Sequence, residues 1–487
     1  MRQAFWLACC PLIPPAWLEL CWGDLQLDSR QIASGDIFIA LPGATHDGRT
    51  FIDQALQQGA IAIIQAGAVN AWHEQRGILY VTVPDLAQRL GALASSYYHY
   101  PSQHLQIHAI TGTNGKTSCS HFLAQALTLL GFKTAVIGTL GSGQLGQLSP
   151  LLNTTPDAVT LQRLLAAFVA QGIRHVTLEA SSIALVQGRL QGCHIASAIL
   201  TNLTRDHLDY HGDMETYGQA KALLFAEPGL QRVILNADDP FHRRCEAVVL
   251  PMVTIRHYAV TNSAATLTAQ VWPRGVTSSG LSMHLVYQGQ RIVLHSALMG
   301  AFNVYNVLAV AVTLLDMGVN FADLARLLAP LAPVAGRLQS VTYPDKPLVV
   351  VDYAHTPAAL AEALDSVRPY VRGVLWCVFG CGGNRDVGKR SQMGKLAASK
   401  ADKLVLTDDN PRFEASDVIL AAIESGIPNG KDYRIIADRK QAIAYAITHA
   451  DSGDVILLAG KGHENSQQIG AVHHPFDDVL VAKEYLR

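Results

Sequence analysis

The stretch Thr111-Gly112-Thr113-Asn114-Gly115-Lys116-Thr117 follows the apolar run Leu105–Ile110 directly and leads into the helical pattern Cys119–Leu130. A strand, a glycine-rich turn ending in Gly-Lys-Thr, and a helix leave few architectures open. The glycines let backbone N–H groups wrap a phosphate, and the helix N-terminus adds partial positive charge. Lys116 is placed to reach the β and γ phosphates, and the Thr117 hydroxyl to sit on Mg2+, with Ser118 completing the first helical turn. Such a unit calls for a parallel α/β sheet with the loop at its carboxyl edge. By itself it indicates only a nucleotide-binding protein, since kinases, GTPases, motors and ligases all carry such a loop.

The rest of the chain supplies that sheet and more. At 487 residues there is room for about three domains. With 49% hydrophobic and 16% charged residues, a large core can form and disorder is not expected. Residues 1–103 read as a small α/β unit with strands at Asp36–Leu41, Ala60–Ile64 and Ile78–Val83 and a helix at Leu86–Tyr98. Residues 104–335 alternate strand and helix around the Gly-Lys-Thr loop, with strands at Val176–Leu178, Ala196–Leu200 and Val233–Leu235. That region shifts to a short alternating, antiparallel pattern near 257–297 and ends on a helix at Asn303–Met317. Pro330, Pro333 and Gly336 mark a hinge into residues 336–487, where strands at Leu348–Val351, Val374–Phe379, Lys403–Thr407 and Asp454–Leu458 each run into Gly or Asp. The expected fold is α/β in three domains: a small N-terminal α/β domain, a central P-loop parallel sheet and a Rossmann-like C-terminal domain.

Charge and cysteine usage narrow the function. A formal net charge of -2 gives no basic face for nucleic acid. The eight cysteines show neither metal-finger spacing nor a disulfide framework, so free thiols in a reducing cytosol are expected. Phe5-Trp6-Leu7-Ala8-Cys9 faintly imitates a secretion signal, but Pro11, Pro14 and Pro15 break it at once. No run reaches the ~18–20 apolar residues of a membrane span. A cytoplasmic protein without a membrane span is expected.

Two further segments add chemistry. Glu179 ends the apolar strand Val176–Leu178, where an acid facing the P-loop suits Mg2+ or, alternatively, a helix cap or a solvated carboxylate. Thr201-Asn202-Leu203-Thr204-Arg205-Asp206-His207-Leu208-Asp209-Tyr210-His211-Gly212 packs in more ionisable groups than a solvated loop requires. Histidine is unusual on Mg2+, so these residues alone leave Zn2+ open. Lys221, just beyond, reads on its own as a surface helix lysine.

These segments occur in order with Gly300-Ala301-Phe302-Asn303-Val304-Tyr305-Asn306, Gly336-Arg337 and Asp352-Tyr353-Ala354-His355-Thr356-Pro357. Together, from Leu27-Asp28-Ser29-Arg30 to Gly460-Lys461-Gly462-His463-Glu464, they resemble the Mur ligases, and within them the branch that adds diaminopimelate. The resemblance implies that Lys221 carries a carbamate that positions Mg2+, with Glu179, His207 and Thr117 around the metal. It implies ATP contacts at Gly112, Thr113, Asn114, Gly115, Lys116, Thr117 and Ser118, with Asn303 and Asp352 for adenine and ribose and Arg337 for phosphate. It assigns Leu27, Ser29, Ala44, Thr45 and His46 to a UDP-sugar. Asn153, Thr154, Thr155, Ser181, Gln187 and Arg189 would hold the muramoyl dipeptide. Where the family often has histidine after the paired serines, this chain has Ile183, which is given no substrate role.

The amino-acid pocket discriminates most. Asp409-Asn410-Pro411-Arg412 follows the strand Lys403–Thr407 and resembles the pattern that accompanies meso-diaminopimelate. A guanidinium pairs with a distal carboxylate that lysine lacks. Arg385 resembles a second carboxylate contact, and Gly460 and Glu464 contacts to the distal ammonium. The implied reaction is ATP-dependent, ADP-forming joining of meso-diaminopimelate to UDP-N-acetylmuramoyl-L-alanyl-D-glutamate through an acyl phosphate, in peptidoglycan precursor synthesis, by a monomer. Another Mur or folylpolyglutamate-type ligase, or a P-loop regulatory NTPase, is the alternative.

Overall fold

The computed structural model describes residues 3–43, 47–262, 264–277 and 280–487, with side chains described for all of these except 271–277. Ala44, Thr45 and His46, expected at the UDP-sugar, lie outside the described residues. The chain divides into two compact units, Met1–His257 and Tyr258–Arg487.

The first unit begins with a five-stranded sheet in the order Leu25–Gln26, Ile37–Ala40, Ala62–Ala66, Ile78–Val83, Ala71–Gln75. All neighbours are parallel except the last pair, whose antiparallel edge strand Ala71–Gln75 is mostly exposed. The continuous apolar runs are explained by burial on both faces. Ile37, Ile39 and Ile64 enter one core, while Phe38, Ala40 and Ile63 enter another. The apolar N-terminal stretch that imitates a signal is a helix, Gln3–Cys9, whose Phe5, Trp6 and Cys9 are buried. Phe5 meets Tyr97 edge-on at 4.9 Å and Trp6 lies 4.5 Å from Trp22, so the segment serves as a core element.

The second sheet of this unit carries the Gly-Lys-Thr loop. Its strands run in the order Arg232–Asn236, Ile195–Leu200, Gln106–Thr111, His175–Glu179, Thr134–Gly138, and then a hairpin of Gly141–Gln144 and Gln147–Ser149. The first five are parallel and the hairpin is antiparallel. Gln106–Thr111 lies between His175–Glu179 and Ile195–Leu200, so the carboxyl ends of three strands meet at one edge. Helix Ala158–Ala170 starts on Asp157, whose carboxylate accepts Thr160 N–H at 2.9 Å. Asp213 caps Met214–Ala222 the same way.

In the second unit, Leu267–Thr277, Gly280–Tyr287 and Gln290–Ser296 form the antiparallel ribbon expected from the alternating pattern. Helix Phe302–Asp316 follows. A six-stranded sheet runs in the order Gln339–Val341, Leu348–Asp352, Val455–Ala459, Leu375–Phe379, Lys403–Leu406, Tyr433–Ile435. Only the first strand is antiparallel to its neighbour. Val455–Ala459, last in sequence, sits between strands formed much earlier, which opens a crevice at the carboxyl ends. All eight cysteines are free thiols, only Cys21 of them exposed. Among the described residues no helix is long and apolar enough to cross a membrane.

Candidate active site

The strand Gln106–Thr111 delivers its loop to helix Lys116–Leu129. Gly112 sits at φ +146, and a Cβ there would collide with Thr201 Oγ1, so no other residue lets the loop lie this close to its neighbour. The loop is tied down by Thr201–Thr204. Asn114 N–H donates to Asn202 Oδ1 at 3.0 Å, Thr201 Oγ1 donates to Asn114 O at 2.6 Å, and Thr204 N–H donates to Thr113 Oγ1 at 2.9 Å. Thr113 Oγ1 also lies 3.2 Å from Tyr217 OH. Lys116 Nζ donates to Gly112 O and Thr113 O, both at 2.8 Å, which holds the ammonium over the loop.

Glu179 is fully buried at the end of its strand. Thr117 Oγ1 donates to its Oε2 at 2.9 Å, Thr139 Oγ1 to the same oxygen at 3.1 Å, and Thr139 N–H to Oε1 at 2.9 Å. The helix-cap alternative is thereby excluded: Ser181 caps the next helix, accepting Ala184 N–H. A buried carboxylate set among hydroxyl oxygens is a hard-oxygen environment that fits Mg2+.

Lys221 departs from the surface position its own helix suggests. It is 1% exposed, its Nζ donates to Gly112 O at 2.8 Å, and the ammonium stands 4.3 Å from the centroid of the Tyr217 ring. Burial and the nearby Lys116 charge push its pKa well below the ordinary lysine value. His207 takes a left-handed backbone, φ +53, and its half-exposed ring lies 6.1 Å from Tyr217 and 3.5 Å from Asp206. The structure therefore gathers Lys116, Thr117, Glu179, Lys221 and the loop around His207 at one edge. Thr139, Asn202 and Tyr217 join them without having been singled out for the site.

The residues expected at the dipeptide lie beside this edge. Thr154 Oγ1 is 3.1 Å from Thr139 Oγ1, and Thr155 Oγ1 donates to Glu179 O at 2.7 Å. Ser181 N–H donates to Thr155 Oγ1 at 3.1 Å. Arg189 donates to Gln187 Oε1 and to Thr155 O at 2.6 Å. Asn153 is exposed on the same loop. Ile183 is half-buried, and the nearby imidazole comes instead from His211, whose Nε2 lies 2.9 Å from Ser182 Oγ. Just after the strand Leu25–Gln26, Ser29 opens a short 3-10 turn and is buried with its hydroxyl donating to Gln54 Oε1 at 2.8 Å, and Leu27 is half-buried ahead of it.

The second unit gathers a separate cluster. Asn410 Nδ2 donates to Glu464 Oε2 at 2.8 Å, and the buried Lys461 ammonium donates to Asn410 Oδ1 and Glu464 Oε2. Burial would raise the Glu464 pKa, but Lys461 and Asn410 outweigh it and hold the carboxyl below its usual value. Arg412, at φ +53, donates from Nη1 to Gly383 O at 2.9 Å. Its backbone pairs with Gln468 and Gly470. Pro411 is buried in the same turn. Gly460, at φ +118, lies against the Asp409 carboxylate, where a Cβ would press. Arg385 is exposed on the adjoining Gly382–Asp386 turn.

Next to that cluster, where Gly460 N–H donates to Asp352 O, the Asp352 carboxylate accepts Leu338 N–H at 2.8 Å and Ala354 N–H at 2.9 Å. Burial nevertheless lifts its pKa to about 6, against the pull of those amides and Arg337. Arg337 stacks on Tyr353 at 5.3 Å and keeps a buried Nε with no hydrogen-bond partner, an orphaned donor that suits an anionic ligand. Asn303 is buried, donating to Met299 O and accepting from Asn306.

Comparison with known proteins gives three domain models in chain order. Residues 24–98 match the Mur ligase family catalytic domain, 110–314 the Mur ligase middle domain, and 336–462 the Mur ligase glutamate ligase domain. The UDP-N-acetylmuramoyl-L-alanyl-D-glutamate–2,6-diaminopimelate ligase of Alkalilimnicola ehrlichii is 44% identical over 480 residues, covering 95% of each chain. That of Pseudomonas aeruginosa is 43% identical over 475 residues, covering 98% of this chain and 97% of its own. A solved structure of an enzyme of that name superposes with a TM-score of 0.73 at 36% identity, covering 99% and 98% of the two chains. On this likeness, which runs through all three domain models and nearly the whole length, the chain belongs to the Mur ligase family and is a ligase.

Proposed function

We propose that this chain joins meso-diaminopimelate to the D-glutamate of UDP-N-acetylmuramoyl-L-alanyl-D-glutamate, converting ATP to ADP and phosphate. The observation that carries the choice of amino acid is the Asp409–Arg412 turn drawn against Glu464 and Gly383. A guanidinium and a carboxylate in one cluster match the carboxylate and ammonium of a distal zwitterion.

In the chemistry, the glutamyl γ-carboxylate attacks the γ-phosphorus of ATP, the bond to the β-phosphate oxygen breaks, and ADP leaves an acyl phosphate. The diaminopimelate amine then attacks the acyl carbon, phosphate departs, and the amine proton is lost. Lys116 and the backbone amides of residues 112–118 neutralise the charge that moves between phosphate oxygens. Thr117, Glu179, His207 and Lys221 as a carbamate would hold Mg2+, which supplies further charge neutralisation at the phosphates when bound. Lys221 is suited to that modification: burial and the Lys116 charge disfavour its ammonium form, and forming the N–C bond with CO2 releases a proton. Asn303, Asp352 and Arg337 are assigned to the nucleotide. Leu27, Ser29 and 44–46 are assigned to the UDP-sugar. Asn153, Thr154, Thr155, Ser181, Gln187 and Arg189 are assigned to the dipeptide, and Arg385, Asp409–Arg412, Gly460 and Glu464 to diaminopimelate. Domain limits of 1–103, 104–335 and 336–487, a monomeric state and a cytoplasmic location complete the proposal.

The test is product mass after incubation with ATP, UDP-dipeptide and either meso-diaminopimelate or L-lysine. A diaminopimelate adduct, with phosphate release requiring both acceptor and amino acid, is expected. A lysine adduct in its place would overturn the pocket assignment.

A further inference from the structure

We infer that His242, Glu246 and His257 form a binding site for a divalent transition-metal ion of the Zn2+ type, apart from the reacting centre. One ligand atom from each residue lies within 4.8 Å of the others. His242 and Glu246 stand four apart on the short helix His242–Glu246 and share its face. His257 comes from the strand Thr254–Ala259, which starts alongside the sheet with Thr254 N–H donating to Gln231 O.

The hydrogen bond of His242 leaves one ring nitrogen for a metal. Its Nδ1 lies 2.8 Å from the carbonyl oxygen of Asp239, which can only accept, so Nδ1 carries the proton and Nε2 presents its lone pair. Asp239 is itself fixed: its carboxylate accepts Phe241 N–H at 2.9 Å and Leu203 N–H at 2.7 Å. His257 Nε2 and Glu246 Oε1 are already in contact, and the two imidazoles meet at 81° with centroids 5.8 Å apart. All three residues are half-buried, leaving an approach for the ion and a fourth position for water.

Two imidazoles, one carboxylate and an open position are a zinc-type set, whereas Mg2+ and Ca2+ prefer all-oxygen sites. With metal–ligand bonds of ~2.0–2.1 Å, tetrahedral ligands stand roughly 3.4 Å apart, so closing on the ion needs side-chain movement of about an ångström. The neighbouring Arg244 cation is paired with Glu215. A bound ion would clip the helix to the strand across 247–253. Through Asp239 and Leu203 it would also steady the loop that carries His207.

The test uses the full-length, chelator-treated protein and Co2+ as a visible probe, since tetrahedral Co2+ absorbs strongly where octahedral Co2+ does not. One equivalent with tetrahedral bands is expected in the wild type and in His207→Ala. The bands should be lost in His257→Ala and in the near-isosteric Glu246→Gln. Zn2+ should raise the thermal midpoint of the wild type by on the order of 5 °C and leave His257→Ala unmoved. Metal-free midpoints and circular dichroism matching the wild type establish that the variants are folded. Absence of bands in the wild type, their persistence in both variants, or their loss in His207→Ala would overturn the site and leave only an ion pair between His257 and Glu246.

Discussion

Thr117 Oγ1 lies 2.9 Å from Glu179 Oε2, so the first turn of the Gly-Lys-Thr helix is bound directly to the end of the neighbouring strand. The two strands involved pair in parallel, Glu179 opposite Ile110, which makes the contact a consequence of register. Glu179→Gln keeps one acceptor for the Thr139 amide while removing the charge, so the protein should fold. Activity or metal affinity should fall about 10- to 100-fold, the usual cost of losing a group that orients a metal. A Mg2+ titration of turnover checks this, and an unchanged Mg2+ requirement would remove Glu179 from the metal assignment.

Lys116→Ala should abolish ligation in a folded protein. The ammonium now rests on the Gly112 and Thr113 carbonyls, and Gly112 O keeps Lys221 Nζ as a donor in its absence. Phosphate release with both acceptor and amino acid present is the measurement. Near-normal turnover would mean the loop does not hold the transferred phosphate.

Lys221→Ala should be nearly inactive, with partial rescue by short carboxylates that fill the vacated oxygen position. Because the wild-type amine is buried against Gly112 O, the decisive observation is density at the lysine tip in a metal-bound crystal. An unmodified amine there would count against the carbamate.

What the sequence discloses of this site depends on how local each feature is. The P-loop is a contiguous strand, turn and helix, so its place at a sheet edge follows from seven residues. Glu179 is legible as an acid at a strand end, but its partner Thr139 is not, because Thr139 lies on the far side of another strand pairing. Helix Met214–Ala222 is largely polar, so its own pattern leaves Lys221 outside; packing of the helix against Ser182–Val186 and the reach of the amine to Gly112 O bury it. The hairpin Ser466–Ile469 and Val472–Pro475 has no apolar alternation, yet Gln468 pairs with both Asn410 and Arg412. The Ser466–Pro475 hairpin is tied to Asn410, 58 residues earlier, a contact that periodicity cannot report.

Asp352 gives a pH signature. Its folded pKa of about 6 exceeds the ordinary carboxylate value near 3.9, so between these limits the native state holds more protons than the unfolded chain. Its contribution to stability is complete below about pH 4 and is lost as pH rises through 6. Asp352→Asn cannot titrate. The stability of the wild type relative to this variant should therefore decline by about 2–3 kcal/mol from pH 4 to pH 7. Urea unfolding of both proteins at each pH measures it, and a flat difference would contradict the raised pKa.

Arg412 carries the choice of amino acid. Its backbone is pinned by Gln468 O and Gly470 N, and one guanidinium nitrogen by Gly383 O, so the group is aimed before any ligand arrives. Pre-aiming lowers the ordering cost of recognition and makes the guanidinium a specific carboxylate partner. Removing one member of a desolvated ion pair costs about 3–5 kcal/mol, because the other charge is left uncompensated. Arg412→Ala should therefore weaken use of meso-diaminopimelate by roughly two to three orders of magnitude. The KM values for ATP and the UDP-dipeptide should barely change, since the Arg412 guanidinium bonds Gly383 O and none of the residues assigned to them. L-lysine should not become a good substrate, because the Asn410–Lys461–Glu464 network that shapes the pocket remains. Side-by-side specificity measurements on the wild type and Arg412→Ala decide the matter. Wild-type preference for L-lysine, or unimpaired diaminopimelate use by the variant, would place the specificity determinant away from Arg412 while leaving the ligase chemistry at Lys116 and Glu179 untouched.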